Sequence, residues 1–254
     1  MKNIFDLTGM KAIVTGGGKG LGRGIAEGFL EQGAEVALIG SSDAIFKAQA
    51  EFSEKGYPVH AVKGNFLSRE DRGRAFDEAV SMLGGTVDIL VNNAGIQRRI
   101  PAEDFPLDKW DEVIEVNLTA VFDLCQRAFP YMKAKGYGKI INVGSLNSFR
   151  SVAHNIAAYQ SAKSALRQMS KTLADEWSEY GIRTNGIAPG WIMTEMTAAV
   201  ANDETKYPET LRQIPLGRWA TPADFKGITI MLASHAGDFI NGTMIPVDGG
   251  FLSR

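Results

Sequence analysis

Seven short apolar runs alternate along the chain with longer segments of helical period, and this alternation constrains the fold more than any other feature. Between the first two runs, Leu21, Ile25 and Phe29 recur at the spacing of one helix face. Several runs are apolar throughout, as expected where helices cover both faces of a parallel sheet. The pattern predicts an α/β fold with a doubly wound, seven-stranded parallel sheet flanked by helices, its strand candidates being KAIVT, EVALIG, YPVHAVKG, VDILVNNAG, GKIINVGS, IRTNGIAPG and TMIPVDGG.

One long segment interrupts the alternation. Residues 191–216 are polar and contain methionine, and they lack a strand where the pattern would place one. We expect this segment to form a lid over the open end of the sheet. No linker, low-complexity tract or repeat divides the 254 residues, so the sequence predicts a single domain over residues 1–254.

Composition excludes several classes of partner. The formal net charge of -2 indicates neither nucleic acid nor an anionic membrane as a partner. No apolar run approaches the roughly 20 residues of a membrane span, and no signal peptide is recognisable at the N-terminus. A single cysteine, Cys125, favours a reducing compartment, so we expect a cytoplasmic protein. Metal binding is not expected, because His60, His154 and His235 are isolated in sequence.

A glycine-rich stretch, TGGGKGLG from Thr15 to Gly22, lies where the first strand becomes the first helix. Glycines permit a tight turn there and let backbone amides approach a pyrophosphate at the helix N-terminus. The spacing differs from the usual G-x-G-x-x-G fingerprint. Its position nevertheless favours dinucleotide binding over an ordinary turn, with a candidate set of Gly16, Gly18, Lys19, Gly20, Leu21 and Gly22.

The end of the second strand does not decide between NAD and NADP. An acid there would bind the ribose diol of NAD, whereas a base would bind the 2′-phosphate of NADP. The chain has uncharged Ser41 and Ser42, followed by Asp43, which we interpret as the N-cap of the next helix. Lys19 in the glycine turn can reach a 2′-phosphate. Either cofactor fits, and Lys19 with the serine hydroxyls favours NADP.

Tyr159 and Lys163 in YQSAK are four residues apart on a predicted helix and therefore share one face. A neighbouring ammonium favours the phenolate and lowers a tyrosine pKa from its usual value near ~10. Ser145 ends the strand GKIINVGS at the sheet edge where ligands bind, and its hydroxyl can hydrogen-bond a reacting oxygen. Asn117 interrupts the apolar face of a long helix, either as a structural clamp or as a holder of water.

These motifs, in order along essentially the whole chain, resemble the short-chain dehydrogenase/reductase family: TGGGKGLG, NNAG, Asn117, Ser145, YQSAK, PG and VDGG. The resemblance implies a Rossmann-type fold and a homotetramer. It also implies that Tyr159 is the general acid/base, that Lys163 lowers its pKa and binds the nicotinamide ribose, that Ser145 positions substrate, and that Asn117 holds a relay water. Asn65 stands where many members have an aspartate at the adenine. Further cofactor contacts implied are Phe66, Asn92, Ala94, Gly95, Pro189, Gly190, Ile192 and Thr194.

Two adjacent arginines, Arg98 and Arg99, follow NNAG and bear on the substrate. A guanidinium beside a substrate cavity has a natural partner in a carboxylate, although surface ion pairs would also explain both residues. With GRW at 217–219, they resemble the sugar-acid branch of the family, that of gluconate 5-dehydrogenase and 2-deoxy-D-gluconate 3-dehydrogenase. That branch implies a sugar-acid substrate, with Arg99 favoured over Arg98 as the carboxylate ligand. Asn147, Arg150 and His154 are further candidates for binding its hydroxyls.

Two other functions stay open from the sequence. A 3-oxoacyl-(carrier protein) reductase would also explain basic residues at the mouth of the pocket. A dinucleotide-binding regulator without catalysis is the third hypothesis, but such a protein needs none of Ser145, Tyr159 and Lys163.

Overall fold

The seven apolar runs form one parallel sheet in the computed structural model, which describes residues 3–254. The predicted fold class is thereby confirmed. The strand order is β3-β2-β1-β4-β5-β6-β7, and every pair in it is parallel. The strands are β1 (Lys11–Thr15), β2 (Glu35–Gly40), β3 (Val59–Lys63), β4 (Ile89–Asn92), β5 (Gly138–Val143), β6 (Ile182–Pro189) and β7 (Met244–Val247).

Helices cover both faces of this sheet. Those of the described residues are α1 (Gly20–Glu31), α2 (Ala44–Glu54), α3 (Arg69–Met82), α4 (Leu107–Ile114), α5 (Ala120–Lys135), α6 (Ala157–Trp177), α7 (Ala198–Ala201), α8 (Lys206–Arg212) and α9 (Lys226–Ala233). Phe29, Phe52 and Phe225 belong to the core on the face covered by α1, α2 and α9. Phe76 and Leu166 belong to the opposite core, beneath α3, α5 and α6. Burial on both faces explains why the strand sequences are apolar throughout.

Strand β1 pairs with β2 on one side and with β4 on the other, so the chain reverses its direction of travel across the sheet at this point. In such sheets the connections leave in opposite directions and open a crevice at the carboxyl ends of the strands. The glycine-rich turn follows β1 directly, and the loop containing Arg98 and Arg99 follows β4. The topology therefore brings both segments to the same crevice.

Two helix starts differ in their capping. Ser68 caps α3, because its hydroxyl accepts a hydrogen bond from Asp71 N at 3.2 Å. Asp43 occupies the N-cap position of α2, but its side chain makes no capping hydrogen bond there. The carboxylate instead pairs with Lys63 Nζ at 2.7 Å, since β3 lies next to the end of β2.

The long helix expected around Asn117 is interrupted. A π-helical turn, Glu115–Thr119, separates α4 from α5 and contains Asn117. Residues 191–216 contain α7, α8 and a 3₁₀ turn, Glu195–Thr197, as well as an isolated bridge between Ile192 and Ala220. Across residues 3–254, the helices are each too short or too polar to cross a bilayer.

Candidate active site

A cavity of about 620 Å³ occupies the crevice at the carboxyl ends of the strands. Its wall is assembled from the glycine-rich turn, the segments after β2, β3, β4, β5 and β6, and the start of α6. Residues distant in sequence, Gly18, Arg99 and Tyr159 among them, line the same space. An elongated volume bordered by a helix N-terminus and by titratable side chains suits a dinucleotide with a small substrate beside it.

The glycine turn has room for backbone and little else. A Cβ at Gly18 would lie 2.6 Å from Ile45 N, and one at Gly22 would lie 2.4 Å from Gly16 O. Gly16 and Gly20 also have left-handed backbone angles, with φ of 66° and 54°. The N-cap residue Lys19 makes no capping hydrogen bond, so the first amides of α1 are available to an anion. This geometry fits a dinucleotide pyrophosphate.

The far end of the cavity, beyond β2, carries no acid at the expected position of the ribose. Ser41, Ser42, Asn65 and Phe66 line it. Asn65 is held locally, since its side-chain Oδ1 accepts from Leu67 N at 3.0 Å.

Lys19 also lines the cavity, but it is not a free cation. Its ammonium forms an ion pair with Glu195, across the mouth of the cleft. Both side chains are well exposed, so the pair is weak and open to solvent. A phosphate at Lys19 would have to compete with the Glu195 carboxylate.

Asn92 does not line the cavity. Its side chain is buried against the opposite core, where Nδ2 donates to Asn142 Oδ1 at 2.9 Å and to Cys125 Sγ at 3.3 Å. The neighbouring Asn93 lines the cavity instead and donates to Thr15 O at 2.9 Å. Asn92 and Asn93 differ in this way because successive side chains of an extended segment point to opposite faces, and a cofactor contact by Asn92 stays a prediction. Ala94, Gly95, Pro189, Gly190, Ile192 and Thr194 do line the cavity.

Ser145, Tyr159 and Lys163 meet in the middle of the cavity wall. Lys163 Nζ donates to the Val143 carbonyl at 2.6 Å and lies 5.7 Å from the centre of the Tyr159 ring. Burial lowers the pKa of Lys163 to about 8. Desolvation raises the pKa of Tyr159, and a hydrogen bond from Ser145 opposes that rise.

The pKa of Tyr159 is shifted in the direction opposite to the one expected. The sequence predicted that Lys163 lowers the pKa of the phenol. In the protein alone, removal of the hydroxyl from water is the largest influence on the pKa of Tyr159 and raises it. A positive charge placed close to Tyr159 would lower this pKa.

Asn117 lies behind the wall and is fully buried. Its Oδ1 accepts from Ile96 N at 3.0 Å, and its Nδ2 donates to Ile96 O at 2.8 Å. The two bonds clamp the loop after β4 to the π-helical turn. A Cβ at Gly95 would lie 2.7 Å from Asn117 Oδ1 and 3.8 Å from Lys163 Nζ, so Gly95 keeps this corner open.

The two adjacent arginines have different surroundings. Arg98 Nη2 donates to Glu112 at 2.9 Å, and Arg98 is not part of the cavity wall. Arg99 lines the cavity, and within residues 3–254 its guanidinium has neither an ion pair nor a hydrogen bond. Consecutive residues of an extended loop point in different directions, which separates the two guanidinium groups.

Two of the proposed hydroxyl-binding residues lie away from the cavity. Arg150 stacks over the Phe251 ring at 5.4 Å and donates to Arg254 O at 3.3 Å. His154 is exposed and is not part of the wall. The loop after β5 turns both side chains outward, and their contacts with substrate hydroxyls stay predictions. Asn147 does line the cavity, but its amide is bonded to protein groups.

Sequence reasoning missed part of the wall. Gln97, Gly144, Trp191, Met193 and Met196 line the cavity without having been singled out. Apolar or neutral residues in loops carry no chemical signal of their own. Gln160, next to Tyr159 in sequence, was also overlooked; it is not part of the wall, but its Nε2 donates to the wall residue Asn147 at 3.1 Å. In the described part of the chain, no three of the His, Cys, Asp and Glu side chains form a potential metal site.

Comparison with known proteins agrees with this geometry. A family model described as enoyl-(acyl carrier protein) reductase matches residues 16–252. The 2-dehydro-3-deoxy-D-gluconate 5-dehydrogenase of Bacillus subtilis (strain 168) is 38% identical over 256 residues, covering 100% of this chain and 99% of the relative.

A rhamnolipid biosynthesis 3-oxoacyl-[acyl-carrier-protein] reductase of Pseudomonas aeruginosa is 36% identical, covering 99% of each chain. Among solved structures, a gluconate 5-dehydrogenase of Burkholderia cenocepacia J2315 in complex with NADP and tartrate superimposes with a TM-score of 0.93. It is 36% identical, and the match covers 99% of this chain and 98% of that one.

Proposed function

The chain belongs to the short-chain dehydrogenase/reductase family, and on that premise we propose that it interconverts a secondary hydroxyl and a ketone on a sugar acid. It is an NAD(P)-dependent oxidoreductase acting on CH–OH groups, so the hypothesis of a non-catalytic regulator is set aside. The substrate class we propose is that of gluconate and 5-ketogluconate or of 2-deoxygluconate. Relatives named 2-dehydro-3-deoxy-D-gluconate 5-dehydrogenase add 2-dehydro-3-deoxy-D-gluconate as a third candidate substrate of this class.

The observation that carries this proposal is the Arg99 guanidinium. It borders the same cavity as Tyr159 and has no partner among the described residues, whereas Arg98 is paired with Glu112. A guanidinium beside a partly apolar cavity is satisfied by a carboxylate that forms two hydrogen bonds with it. The tartrate in the related Burkholderia structure is a hydroxy acid of the corresponding chemistry.

The proposed roles of the other residues follow from their positions. The substrate hydroxyl gives its proton to Tyr159 while its carbon loses a hydride, and reduction reverses both transfers. Ser145 hydrogen-bonds the reacting oxygen, and Lys163 orients the ribose beside Tyr159. When bound, the oxidised nicotinamide accepts the hydride, and its positive charge favours the Tyr159 phenolate. Asn117 holds the loop that carries Gly95 and Ile96 in place, and it stays a candidate holder of a relay water.

We propose NADP as the preferred cofactor, with NAD as the alternative. The ribose end has hydroxyls and no acid, and Lys19 lies at the edge of the cleft. The proposed cofactor contacts include Asn93 as well as the predicted Asn92. The proposed substrate contacts are Ser145, Tyr159 and Arg99.

Substitution of Arg99 tests the substrate class. Arg99→Ala is expected to raise KM for a sugar acid roughly 10- to 100-fold, because a charge-assisted bidentate pair is lost, and to leave KM for a neutral polyol nearly unchanged. Steady-state assays of a panel of hexonates, their keto forms and matched polyols with NAD and NADP measure this. Arg98→Ala is the matched control. An equal effect on acids and polyols would contradict carboxylate binding.

The relative from Pseudomonas aeruginosa keeps 3-oxoacyl reduction as the second candidate. Acyl chains would contact the apolar part of the wall, which includes Met193, Met196 and Val152. Turnover of acetoacetyl thioesters with no turnover of any hexonate would establish that function and reject the sugar-acid proposal.

We further propose a homotetramer, a cytoplasmic location and a single domain over residues 1–254 in which 191–216 act as a lid. Contacts between subunits are supported by exposed apolar side chains: Leu107 on α4, Phe122 on α5 and Phe239 in the turn before β7. The cytoplasm supplies the nicotinamide cofactors that the reaction consumes. Sedimentation velocity tests the assembly, with a monomer as the contradicting result.

A further inference from the structure

Ser145 receives two hydrogen bonds from one residue. Asn147 N donates to Ser145 Oγ at 3.2 Å, and Asn147 Nδ2 donates to the same oxygen at 3.1 Å. All three atoms are buried or nearly so, with Ser145 9% and Asn147 8% exposed. A hydroxyl oxygen has two lone pairs and one proton, so two incoming donors use its accepting capacity.

The orientation of the Asn147 amide is set by its neighbours. Val152 N, which can only donate, lies 3.2 Å from Asn147 Oδ1. Gln160 Nε2 also donates to Asn147 Oδ1, at 3.1 Å, and is itself oriented by the Ala153 carbonyl at 2.8 Å. Reversing the Asn147 amide would place an NH₂ group against two donors. The NH₂ group of Asn147 therefore faces Ser145.

The position of Ser145 is set from its other side. Ser148 Oγ accepts from Ser145 N at 3.2 Å and donates to the Lys163 carbonyl at 2.6 Å. Ser145 is thus held between the start of the 3₁₀ turn Leu146–Ser148 and helix α6. The Ser145 proton is the one part of the group left to point into the cavity.

We propose that Asn147 is a positioning residue that makes Ser145 an obligate hydrogen-bond donor, either to the reacting oxygen or to Tyr159. This inference rests on the proposed function for the identity of that oxygen. A donated bond stabilises an anionic oxygen, either the substrate alkoxide or the Tyr159 phenolate, whereas an accepting serine would destabilise it. Asn147 was expected to bind substrate hydroxyls, and the structure assigns its amide to Ser145 instead.

Asn147→Asp tests the direction of the bond. A carboxylate cannot donate, so it draws the Ser145 proton away from Tyr159 and substrate. We expect kcat to fall about 10- to 100-fold, with KM for the cofactor unchanged and the rising limb of the pH profile for oxidation shifted to higher pH. Asn147→Ala adds no charge. It is expected to lower kcat and to shift the rising limb of the pH profile to higher pH, each by a smaller amount than Asn147→Asp.

Asn241 offers a matched control. Its Oδ1 accepts from Thr184 N at 2.9 Å and its Nδ2 donates to Ser178 Oγ at 2.7 Å, the same pattern at the other end of the sheet. Asn241→Asp introduces an equal disruption away from the cavity. It is expected to lower stability and leave kcat and the pH profile unchanged.

A double-variant cycle separates an effect through Ser145 from a direct effect of the new charge on Tyr159, Lys163 or Arg99. In a Ser145→Ala background, Asn147→Asp is expected to change kcat by less than about twofold. A further tenfold fall would mean that the substitution acts by another route and would overturn the proposal. Retention of the native kcat and pH profile by both Asn147 variants would overturn it equally.

A titration that needs no substrate keeps this test independent of the proposed function. In the NADP complex, the ¹³C resonance of Cζ-labelled Tyr159, assigned with Tyr159→Phe, reports phenol ionisation. Asn147→Asp and Asn147→Ala are both expected to raise the pKa of Tyr159, and an unchanged pKa would reject the inference. If the native protein turns over no sugar acid, the proposed function fails while this titration still decides the role of Asn147.

Discussion

Lys163 is a cation in a place that disfavours charge. Its side chain is buried, and its ammonium donates to the Val143 carbonyl rather than to a carboxylate. Burial lowers its pKa to about 8, against 10.5 for a free lysine. At pH below this value the folded protein must hold an incompletely solvated charge, so Lys163 serves the site at a cost to stability.

Lys163→Met is therefore expected to stabilise the protein without cofactor while abolishing activity. Because the folded-state pKa is depressed, the unfolded chain binds more protons between about pH 8 and 10.5, and the native protein gains stability across that window. The advantage of the variant should be on the order of 1–3 kcal/mol at pH 7 and shrink as pH rises to about 10.5. Urea unfolding at several pH values measures it. A variant less stable than the native protein at pH 7 would contradict the expectation.

The π-helical turn Glu115–Thr119 is the element on which the site depends most. Its extra residue turns Asn117 towards the loop after β4, where both amide atoms bond to Ile96. The turn is anchored by Arg72 of α3, a fully buried guanidinium. Arg72 pairs with Glu115, with Asp123 at 2.5 Å, and with the carbonyl of the cavity residue Phe66 at 3.0 Å.

Arg72→Met is expected to lower the free energy of unfolding by about 2–4 kcal/mol, because Glu115 and Asp123 would lose their partner at a largely buried site. The midpoint temperature of thermal unfolding, Tm, should fall by roughly 5–10 °C in a protein of this size. Arg127→Met is the control, since Arg127 also contacts Asp123 at 3.2 Å but is a third exposed. A cost below about 1 kcal/mol is expected there, and equal costs for the two variants would be inconsistent with the anchoring role.

At the scale of the element, the sequence pattern predicts the strands but not every helical segment. β1 and β2 coincide with KAIVT and EVALIG, because apolar runs of strand length bounded by turn residues have few other solutions. The π-helical turn was not predictable. Its pattern is that of an ordinary helix, and the departure is stabilised by tertiary bonds from Asn117 and by the Arg72 ion pairs.

At the scale of the whole molecule, the segment 191–216 borders the cleft and contacts the glycine turn. Met193 and Met196 line the cavity and are half exposed, and Glu195 pairs with Lys19 of the glycine turn. The ion pair between Lys19 and Glu195 is exposed to solvent and is therefore weak. A bound dinucleotide would add contacts to both sides of the cleft and hold the segment more firmly.

We expect NADP to slow tryptic cleavage within residues 191–216, at Lys206 or Arg212, by about fivefold or more, because binding shifts the population towards the closed segment. Mass spectrometry of a digestion time course identifies the sites. Gly18→Ala is the control, because its Cβ would lie 2.6 Å from Ile45 N, so the glycine turn would have to shift and NADP binding is expected to weaken. Cleavage at equal rates with and without NADP in the native protein would contradict a lid.

The sequence alone determined the strands, their alternation with helices and the position of the glycine turn, because these depend on local periodicity and on backbone freedom. It also determined that Ser145, Tyr159 and Lys163 belong to one site, since strand ends and helix faces bring them to one edge. Only the tertiary structure decided that Arg99 and not Arg98 faces the cavity, that Asn93 replaces Asn92 in its wall, and that Asn147 donates to Ser145. Those choices depend on where loop side chains point, and that direction is set by partners such as Glu112, Asn142 and Val152, which are distant in sequence or unmarked by any pattern.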